Sequence, residues 1–197
     1  MDIKKHFLLF TISLIVSCSN EYDNFSIKDT NLKIGIPSAW IKFEDSDFNT
    51  LLANSENYGN FSPEFSLSIQ QIQENENIDG HLFINPILDS TNIFNSSIMI
   101  TSMSLYGQPV LLTDIVEIQR QAISNVSEVI QNEQGRCPTM SFTAYECFMI
   151  VLNGAIQPIT QYQYFLIDNG RLVNIAFTSS TSENLPIFTE IIRNISR

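Results

Sequence analysis

The chain has 197 residues, of which 44% are hydrophobic, and this length and composition suit a single folded domain with a substantial core. Its formal net charge at pH 7 is −11, from 10 basic and 21 acidic residues. A chain this acidic is excluded as a nucleic-acid-binding protein, because phosphate binding requires clustered lysine and arginine. The same charge argues against electrostatic contact with anionic lipid headgroups.

Residues 1–17 are predicted to be a secretory signal peptide. Lys4 and Lys5 form a basic start, and an apolar run follows at residues 7–16. A helix that crosses a bilayer and stays there needs about 20 apolar residues, so this run is too short to be a permanent span. Its length and its basic flank are typical of an export signal.

The leader ends in Ile15-Val16-Ser17-Cys18, which resembles the lipobox of bacterial lipoproteins. The resemblance implies that Cys18 is lipidated on sulfur and becomes the acylated N-terminus, with fatty acids such as palmitate in the membrane. Two or more acyl chains give stable anchoring. Residues 18–24 are then a lipidated cysteine and a short polar tether, and Ser19 fits sorting to the outer membrane. The alternative is an ordinary signal peptide with a chance cysteine.

The first half of the domain is predicted to contain strands and helices in alternation. Alternating apolar residues predict a strand at 32–36, ended by Pro37. Helical patterns follow at 46–54 and 62–74, and strands at 81–86 and 96–105. Residues 75–80 between them are expected to form a loop.

The second half has the clearest patterns. A helix is predicted at 112–126, with Asp114 as its N-cap and Glu117 as the capping-box partner. Its expected buried stripe is Ile115, Ile118, Ala122 and Val126.

A short strand at 129–130 and an irregular segment at 131–142 are expected next. An antiparallel meander follows at 144–152, 161–167 and 172–178, with Asn169-Gly170 as a hairpin turn. A final amphipathic helix covers 185–195. Together these elements predict one α+β domain at 25–197, an antiparallel β-sheet with helices packed on it.

Several of these segments resemble the PsbP-like, or Mog-type, fold, including bacterial lipoproteins of that shape. They are "LKIGIPSAW", "LTDIVEIQRQAISNV", "QYQYFLIDNGRLVNIAFTSS" and "LPIFTEIIRNI", which cover most of residues 32–195. The resemblance implies an αβα sandwich and a non-catalytic accessory or binding role. It supplies no ligand-binding motif.

Two cysteines remain after the leader, Cys137 and Cys147. An exported protein meets an oxidising compartment, so this pair is a candidate disulfide. Two buried thiols are the alternative, since free cysteine is among the most buried residue types.

The sequence offers little for catalysis. His81 is the one histidine after the leader, and no nucleophile accompanies it. The segment 75–80 faintly resembles a calcium loop, but its twelfth position falls on Pro86 where a glutamate is required. No metal site, catalytic residue or cofactor is therefore predicted. Strand aromatics such as Tyr162, Tyr164 and Phe165 could line a cleft, although core packing is the favoured interpretation.

The sequence therefore predicts a non-enzymatic, lipid-anchored module of the bacterial cell envelope that acts through protein–protein contact. Its partners would be the membrane, through Cys18, and an envelope protein, with no nucleic acid. The alternative is a carrier or sensor of a small apolar ligand in a cleft between sheet and helices.

Overall fold

The computed structural model describes residues 21–44, 47–48, 50, 74–86, 96–124, 129–141, 144–153, 158–179 and 185–197. These residues form nine strands and two helices. In chain order they are β1 Tyr22–Ser26, β2 Lys33–Pro37, β3 Ile41–Glu44, β4 Ile78–Ile84, β5 Ser97–Ser104, α1 Leu112–Ser124, β6 Val129–Gln134, β7 Tyr145–Leu152, β8 Ile159–Asp168, β9 Arg171–Ser179 and α2 Leu185–Arg193. The leader, Cys18 and nearly all of the helices predicted at 46–54 and 62–74 lie outside the described residues.

The main sheet has seven strands in the order β3-β4-β5-β9-β8-β7-β6, and every neighbouring pair is antiparallel. Strands β1 and β2 form a separate antiparallel pair. The predicted turn between β8 and β9 is confirmed. Asn169 and Gly170 have φ of 48° and 73°, the left-handed values that a two-residue hairpin turn of this type needs. The α+β prediction is therefore confirmed.

The larger core lies on one face of the main sheet, beneath α2 and the β1–β2 pair. Inward residues of β5, β8 and β9 alternate along their strands and meet Phe188, Ile191 and Ile192 of α2. The ring of Phe188 lies 5.3 Å from that of Phe177 and 6.3 Å from that of Trp40. Helix α2 is thus fixed between the sheet and β2.

A smaller core lies on the opposite face, under α1. Val116 packs there with Phe148, Ile150 and Phe165 of β7 and β8. Phe148 follows Cys147 of the larger core, and successive strand residues point to opposite faces. Helices therefore cover both faces of the sheet, as a sandwich requires. Within the described ranges, no helix is both long and apolar enough to cross a membrane.

Apart from shifts of one or two residues, four strands differ from the sequence prediction. No strand is predicted at β3, Ile41–Glu44, which pairs with β4. Residues 22–24, expected in the tether, belong to β1 and pair with residues 35–37 of β2. Strand β4 begins at Ile78, inside the segment expected to be a loop, and β6 continues to Gln134 through the segment expected to be irregular. In each case hydrogen bonds to a neighbouring strand stabilise a polar sequence that has little strand preference of its own.

Helix α1 is also rotated from its predicted orientation. The Leu111 carbonyl accepts from the Ile115 amide at 3.3 Å, so Leu111 is the N-cap and Asp114 lies in the first turn. The residues that pack on the sheet are Leu112, Ile115, Val116 and Ile123, whereas Ile118 and Ala122 are exposed. The predicted stripe and the observed stripe share Ile115. Contact with the Phe148 and Phe165 rings selects the observed stripe, which contains Val116 and Ile123.

Candidate functional site

Four segments of the chain meet at one end of the main sheet and enclose a cleft of about 320 Å³. They are the β1–β2 turn, the start of β4, the segment after β5 and the start of β9. The cleft is lined mainly by polar and charged side chains: Lys28, Asp29, Asn75, Glu76, Asn77, Ile78, Asp79, Ser104, Tyr106 and Arg171. We call it the loop-end cleft.

Arg171 forms the inner wall of the loop-end cleft. Its side chain is only 13% exposed, and its Nε and Nη2 donate to Ser102 Oγ at 3.2 and 3.1 Å. Nη2 also donates to the Ser102 carbonyl at 2.9 Å, and Nη1 donates to Asp29 Oδ2 at 3.3 Å. Asn169 Nδ2 in turn donates to the Asp29 carbonyl at 3.0 Å. The guanidinium is therefore fixed in position, and its charge is balanced by Asp29.

A second charge pair lies across the cleft. Lys28 Nζ is 3.9 Å from Asp79 Oδ1, and the other Asp79 oxygen is 3.2 Å from His81 Nε2. His81 lies within β4, and its ring packs edge-on against Phe25 with 4.7 Å between centroids. The histidine thus lies in the interior of a strand, packed against an aromatic ring and paired with a carboxylate.

The outer rim of the cleft carries an exposed aromatic residue. The side chain of Tyr106 is 71% exposed, and its hydroxyl donates to Asn77 Oδ1 across the opening. The backbone amide of Asn77 donates to Asn75 Oδ1 at 3.1 Å, and this bond holds Asn77 in position. The ring of Tyr106 therefore stands at the rim, with its hydroxyl fixed on Asn77 and most of its surface exposed to solvent.

Left-handed backbone conformations also concentrate at this end. Among the described residues, the non-glycine positions with positive φ are Asp29 at 57°, Tyr106 at 49° and Asn169 at 48°. Asp29 and Tyr106 line the cleft, and Asn169 contacts Asp29. Asparagine and aspartate tolerate this region, but for a bulky tyrosine it is a costly outlier. Such strain, on the order of 1–3 kcal/mol, clusters at functional sites.

A second candidate surface lies on the outer side of α1. Leu111 is 66% exposed and Ile118 is 65% exposed. Leu111 is the N-cap and lies seven residues before Ile118. Positions seven apart differ by about 20° around a helix axis, so the two residues lie along the same side of α1. Asp114 and Glu117, which lie between these two residues in the sequence, are also exposed. We call Leu111 and Ile118 the outer stripe.

The opposite side of α1 is fixed to the edge strand β6. Arg120 Nε donates to Asn132 Oδ1 at 3.1 Å, and Asn132 Nδ2 donates to the Arg120 carbonyl at 3.1 Å and to Ser124 Oγ at 3.0 Å. These hydrogen bonds link α1 to β6 on the side opposite the outer stripe. The exposure of Leu111 and Ile118 therefore follows from the way α1 docks on the sheet.

The predicted cysteine pair lies next to the larger core. Cys137 and Cys147 are joined as a disulfide with their Cα atoms 6.4 Å apart, within the range that a disulfide requires. The bond ties the segment 135–141 to β7. Tyr164 Oη donates to the Pro138 carbonyl at 2.7 Å, and the Met140 amide donates to Tyr145 Oη at 3.3 Å.

The strand aromatics pack in the two cores. Tyr164, Phe148 and Phe177 are fully buried, and Phe165 is nearly so, which supports packing over cleft formation. Burial raises the pKa of Tyr164 far above its usual value, and burial also raises the pKa of Tyr162. Tyr164 is therefore a neutral donor at any ordinary pH.

The sequence did not single out the loop-end cleft because its residues come from four separate segments. The one local signal is the polar segment 75–80, which resembles a calcium loop but has Pro86 where the twelfth position requires glutamate. Within the ranges that the structure describes, no group of three or more His, Cys, Asp or Glu side chains is placed to hold a metal ion.

Comparison with known proteins supports the architecture. No family model matches the chain, and no curated protein matches it. Among solved structures, the Ran-binding protein Mog1p of Saccharomyces cerevisiae has 9% identity and a TM-score of 0.50, with 90% of this chain and 96% of that chain covered. The chain therefore has the predicted Mog-type fold. At this identity the match shows the fold alone.

Two further structures resemble the chain less closely by TM-score. Cyanobacterial PsbP (CyanoP) from Synechocystis sp. PCC 6803 has 12% identity and a TM-score of 0.47, covering 88% of this chain and 89% of that chain. A Pseudomonas aeruginosa protein of unknown function, PA94, has 9% identity and a TM-score of 0.45, covering 90% and 97% respectively.

Proposed function

We propose that this protein is a non-catalytic, lipid-anchored module of the bacterial cell envelope that binds a partner protein through the outer side of α1. Cys18 supplies the anchor, and the outer membrane is the proposed location because Ser19 follows the cysteine. The single observation that supports partner binding is the outer stripe, Leu111 and Ile118, which the fold holds in solvent.

The chemistry of the outer stripe indicates what kind of partner fits it. Burying one leucine or isoleucine side chain stabilises a complex by about 1.5–3 kcal/mol. Protein interfaces combine an apolar centre with a polar rim, and here Asp114 and Glu117 supply carboxylates beside the apolar pair. A partner with an apolar patch bordered by lysine or arginine is therefore complementary to this surface.

The alternative function, carriage of a small apolar ligand, gains no support from the loop-end cleft. That cleft is lined by Lys28, Asp29, Asp79, Arg171 and other polar residues. An apolar ligand there would desolvate these charges without replacing their interactions with water, which is unfavourable.

The interface is tested by adding a charge to the outer stripe. Ile118→Glu should abolish capture of the partner from detergent-solubilised envelopes, measured by mass spectrometry of proteins retained on the tagged full chain. Thr113→Glu is the matched control, because it adds the same charge to an exposed site about 140° around the same helix. Equal capture by both variants would overturn the proposed surface.

The anchor is tested separately. Cys18→Ser should block leader processing or release the protein from membranes, because the acyl chains supply the binding free energy. Membrane fractionation and mass measurement of the mature N-terminus would show this, with Ser19→Ala as a neighbouring control that keeps the acylated cysteine. Unchanged fractionation of Cys18→Ser would contradict lipid anchoring while leaving the interface on α1 untouched.

A further inference from the structure

A different observation points to a second binding site, independent of the proposed partner interface. We propose that the loop-end cleft binds a neutral saccharide, a polyhydroxylated ring without net charge. The proposal depends on the size of the cleft, on the pairing of its charges and on the exposed ring of Tyr106.

The size and lining of the cleft select the class of ligand. Its volume of about 320 Å³ is at the lower end of the range for small-molecule sites, about 300–1,000 Å³. Such sites are usually lined by apolar residues with a few polar groups, whereas this lining is mainly amide, carboxylate, hydroxyl and cationic groups. A ligand that fits must therefore offer many hydrogen-bonding groups over a small volume.

Four of the five charged side chains that line the cleft form two ion pairs. Arg171 interacts with Asp29 at 3.3 Å, and Lys28 lies 3.9 Å from Asp79. A charged ligand would have to compete with one of these pairs, and separating the Arg171 pair would leave a partly buried charge without its partner. The remaining carboxylate, Glu76, is exposed and disfavours an anion. A ligand without net charge neither competes with these ion pairs nor meets repulsion from Glu76.

Sugar hydroxyls suit a lining of this kind. A hydroxyl both donates and accepts, so it can bridge a donor and an acceptor while their ion pair stays intact. Within the cleft Asn75, Asn77 and Ser104 offer both kinds of group, and Asp79 offers carboxylate oxygens. Donors and acceptors are thus present together, as recognition of a polyhydroxylated ring requires.

Tyr106 supplies the apolar part of the site. The flat face of a sugar ring presents C–H groups, which pack favourably on an aromatic face, and a tyrosine ring combines that face with a polar tip. The Tyr106 hydroxyl is fixed on Asn77, and its backbone is held at φ 49°. Tyr106 and Gly107 are the central residues of a turn in which the Gln108 amide donates to the Leu105 carbonyl at 2.9 Å, and positive φ at both residues suits that turn. A bulky tyrosine is uncommon at such a position, and here the turn presents its ring at the rim of the cleft.

The test is calorimetric titration of the full-length mature protein, solubilised in a detergent without a sugar headgroup. The probes are N,N′-diacetylchitobiose, cellobiose and maltose, with the zwitterion glycylglycine for comparison. We expect at least one disaccharide to bind saturably, with a Kd on the order of 1 mM or below. Binding of glycylglycine in preference to all three disaccharides, or no binding of any disaccharide, would overturn the assignment.

Variants at the rim locate the binding. Tyr106→Ala should weaken binding at least about tenfold, which corresponds to about 1.4 kcal/mol, whereas Tyr106→Phe keeps the ring and should retain most of the affinity. Asn77→Ala is a second variant, which removes a polar group of the cleft together with the acceptor of the Tyr106 hydroxyl. Thr113→Ala, at an exposed position of α1, is the control and should bind normally. Affinity that survives both Tyr106→Ala and Asn77→Ala would place the saccharide elsewhere and contradict the proposal.

Discussion

The two helices of this protein are both amphipathic, yet they use their apolar residues differently. Helix α2 has nine residues and fully buries Phe188, Ile191 and Ile192. Helix α1 has 13 residues and buries only Val116 to that degree, while Ile118 and the N-cap residue Leu111 face solvent. The comparison separates a helix that belongs to the core from one that is attached to the sheet and still presents apolar surface.

The difference follows from what each helix meets. Helix α2 contacts the main sheet on one side and β2 on another, so its apolar residues find partners over a wide angle. Helix α1 packs on β7 and β8 and is linked to β6 through Arg120 and Asn132, which leaves its remaining sides open. Exposed apolar surface on α1 is thus a consequence of where the helix docks.

The largest expected effect is at the centre of α2. Phe188→Ala should lower the free energy of unfolding by about 3–5 kcal/mol, because the ring is fully buried against Trp40 and Phe177. Urea denaturation followed by circular dichroism would measure this loss. A loss below about 1 kcal/mol would mean that α2 is not part of the core, and the contrast between the helices would fail.

The disulfide should stabilise the whole fold, with its largest local effect on the α2 side of the molecule. Replacing Cys137 and Cys147 together by alanine should cost about 2–3 kcal/mol, mainly through the greater freedom of the unfolded chain. The segment that it fixes also contacts the end of α2, where Ser141 Oγ donates to the Ile195 carbonyl at 2.8 Å. Hydrogen exchange should therefore quicken in α2 more than in α1.

Mass mapping without reductant decides whether the bond forms in the purified protein. A peptide pair joined through Cys137 and Cys147 is the expected result. Two thiols that are alkylated on denaturation without reductant would contradict the disulfide, and the double alanine variant should then have little effect on stability.

The elements that could be predicted from sequence are those with strong local patterns. The hairpin of β8 and β9 has long runs in which apolar residues alternate, and the Asn169-Gly170 turn joins them. Helix α2 has a broad apolar stripe, which can face the core in only one orientation. Strands β1 and β6 were missed or shortened because "YDNFS" and "VIQNEQ" are polar, and only pairing with β2 and β7 makes them strands. Tertiary contacts, which the sequence does not display, decided these cases.

The candidate sites were harder to predict for the same reason. The orientation of α1 depends on Phe148 and Phe165, which lie on strands far along the chain, so the exposed position of Ile118 could not be read from the helix itself. The loop-end cleft joins Asp29, Asp79, Tyr106 and Arg171 from four segments. Such a site has no sequence motif, and the strain at Tyr106 is visible only in its backbone conformation.

A smaller effect is expected at Tyr164, beneath the segment that the disulfide fixes. Tyr164→Phe removes the hydrogen bond to Pro138 and should cost about 1–2 kcal/mol, since a carbonyl loses its donor. The variant should also change the response to alkali. Burial raises the pKa of Tyr164 in the folded state, so its contribution is complete below about pH 10 and falls above it, as the unfolded chain ionises, by up to about 1.4 kcal/mol per pH unit. Urea denaturation between pH 8 and about 11 should show a shallower decline for Tyr164→Phe than for the wild type, and parallel declines would contradict the assignment.

The smallest effect is expected at Ile118, and it tests the α1 side of the comparison most directly. Ile118→Ala removes three carbons from a side chain that is already in water, so the free energy of unfolding should change by no more than about 0.5 kcal/mol. Val116→Ala, two residues earlier on the same helix, removes fewer carbons but should cost about 1–3 kcal/mol, because those carbons are buried against the sheet. The two variants differ little in helix preference, so urea denaturation of the pair measures docking rather than helix formation. A reversed order would mean that α1 buries Ile118 as its sequence pattern first indicated, and the outer stripe would then be unavailable to a partner.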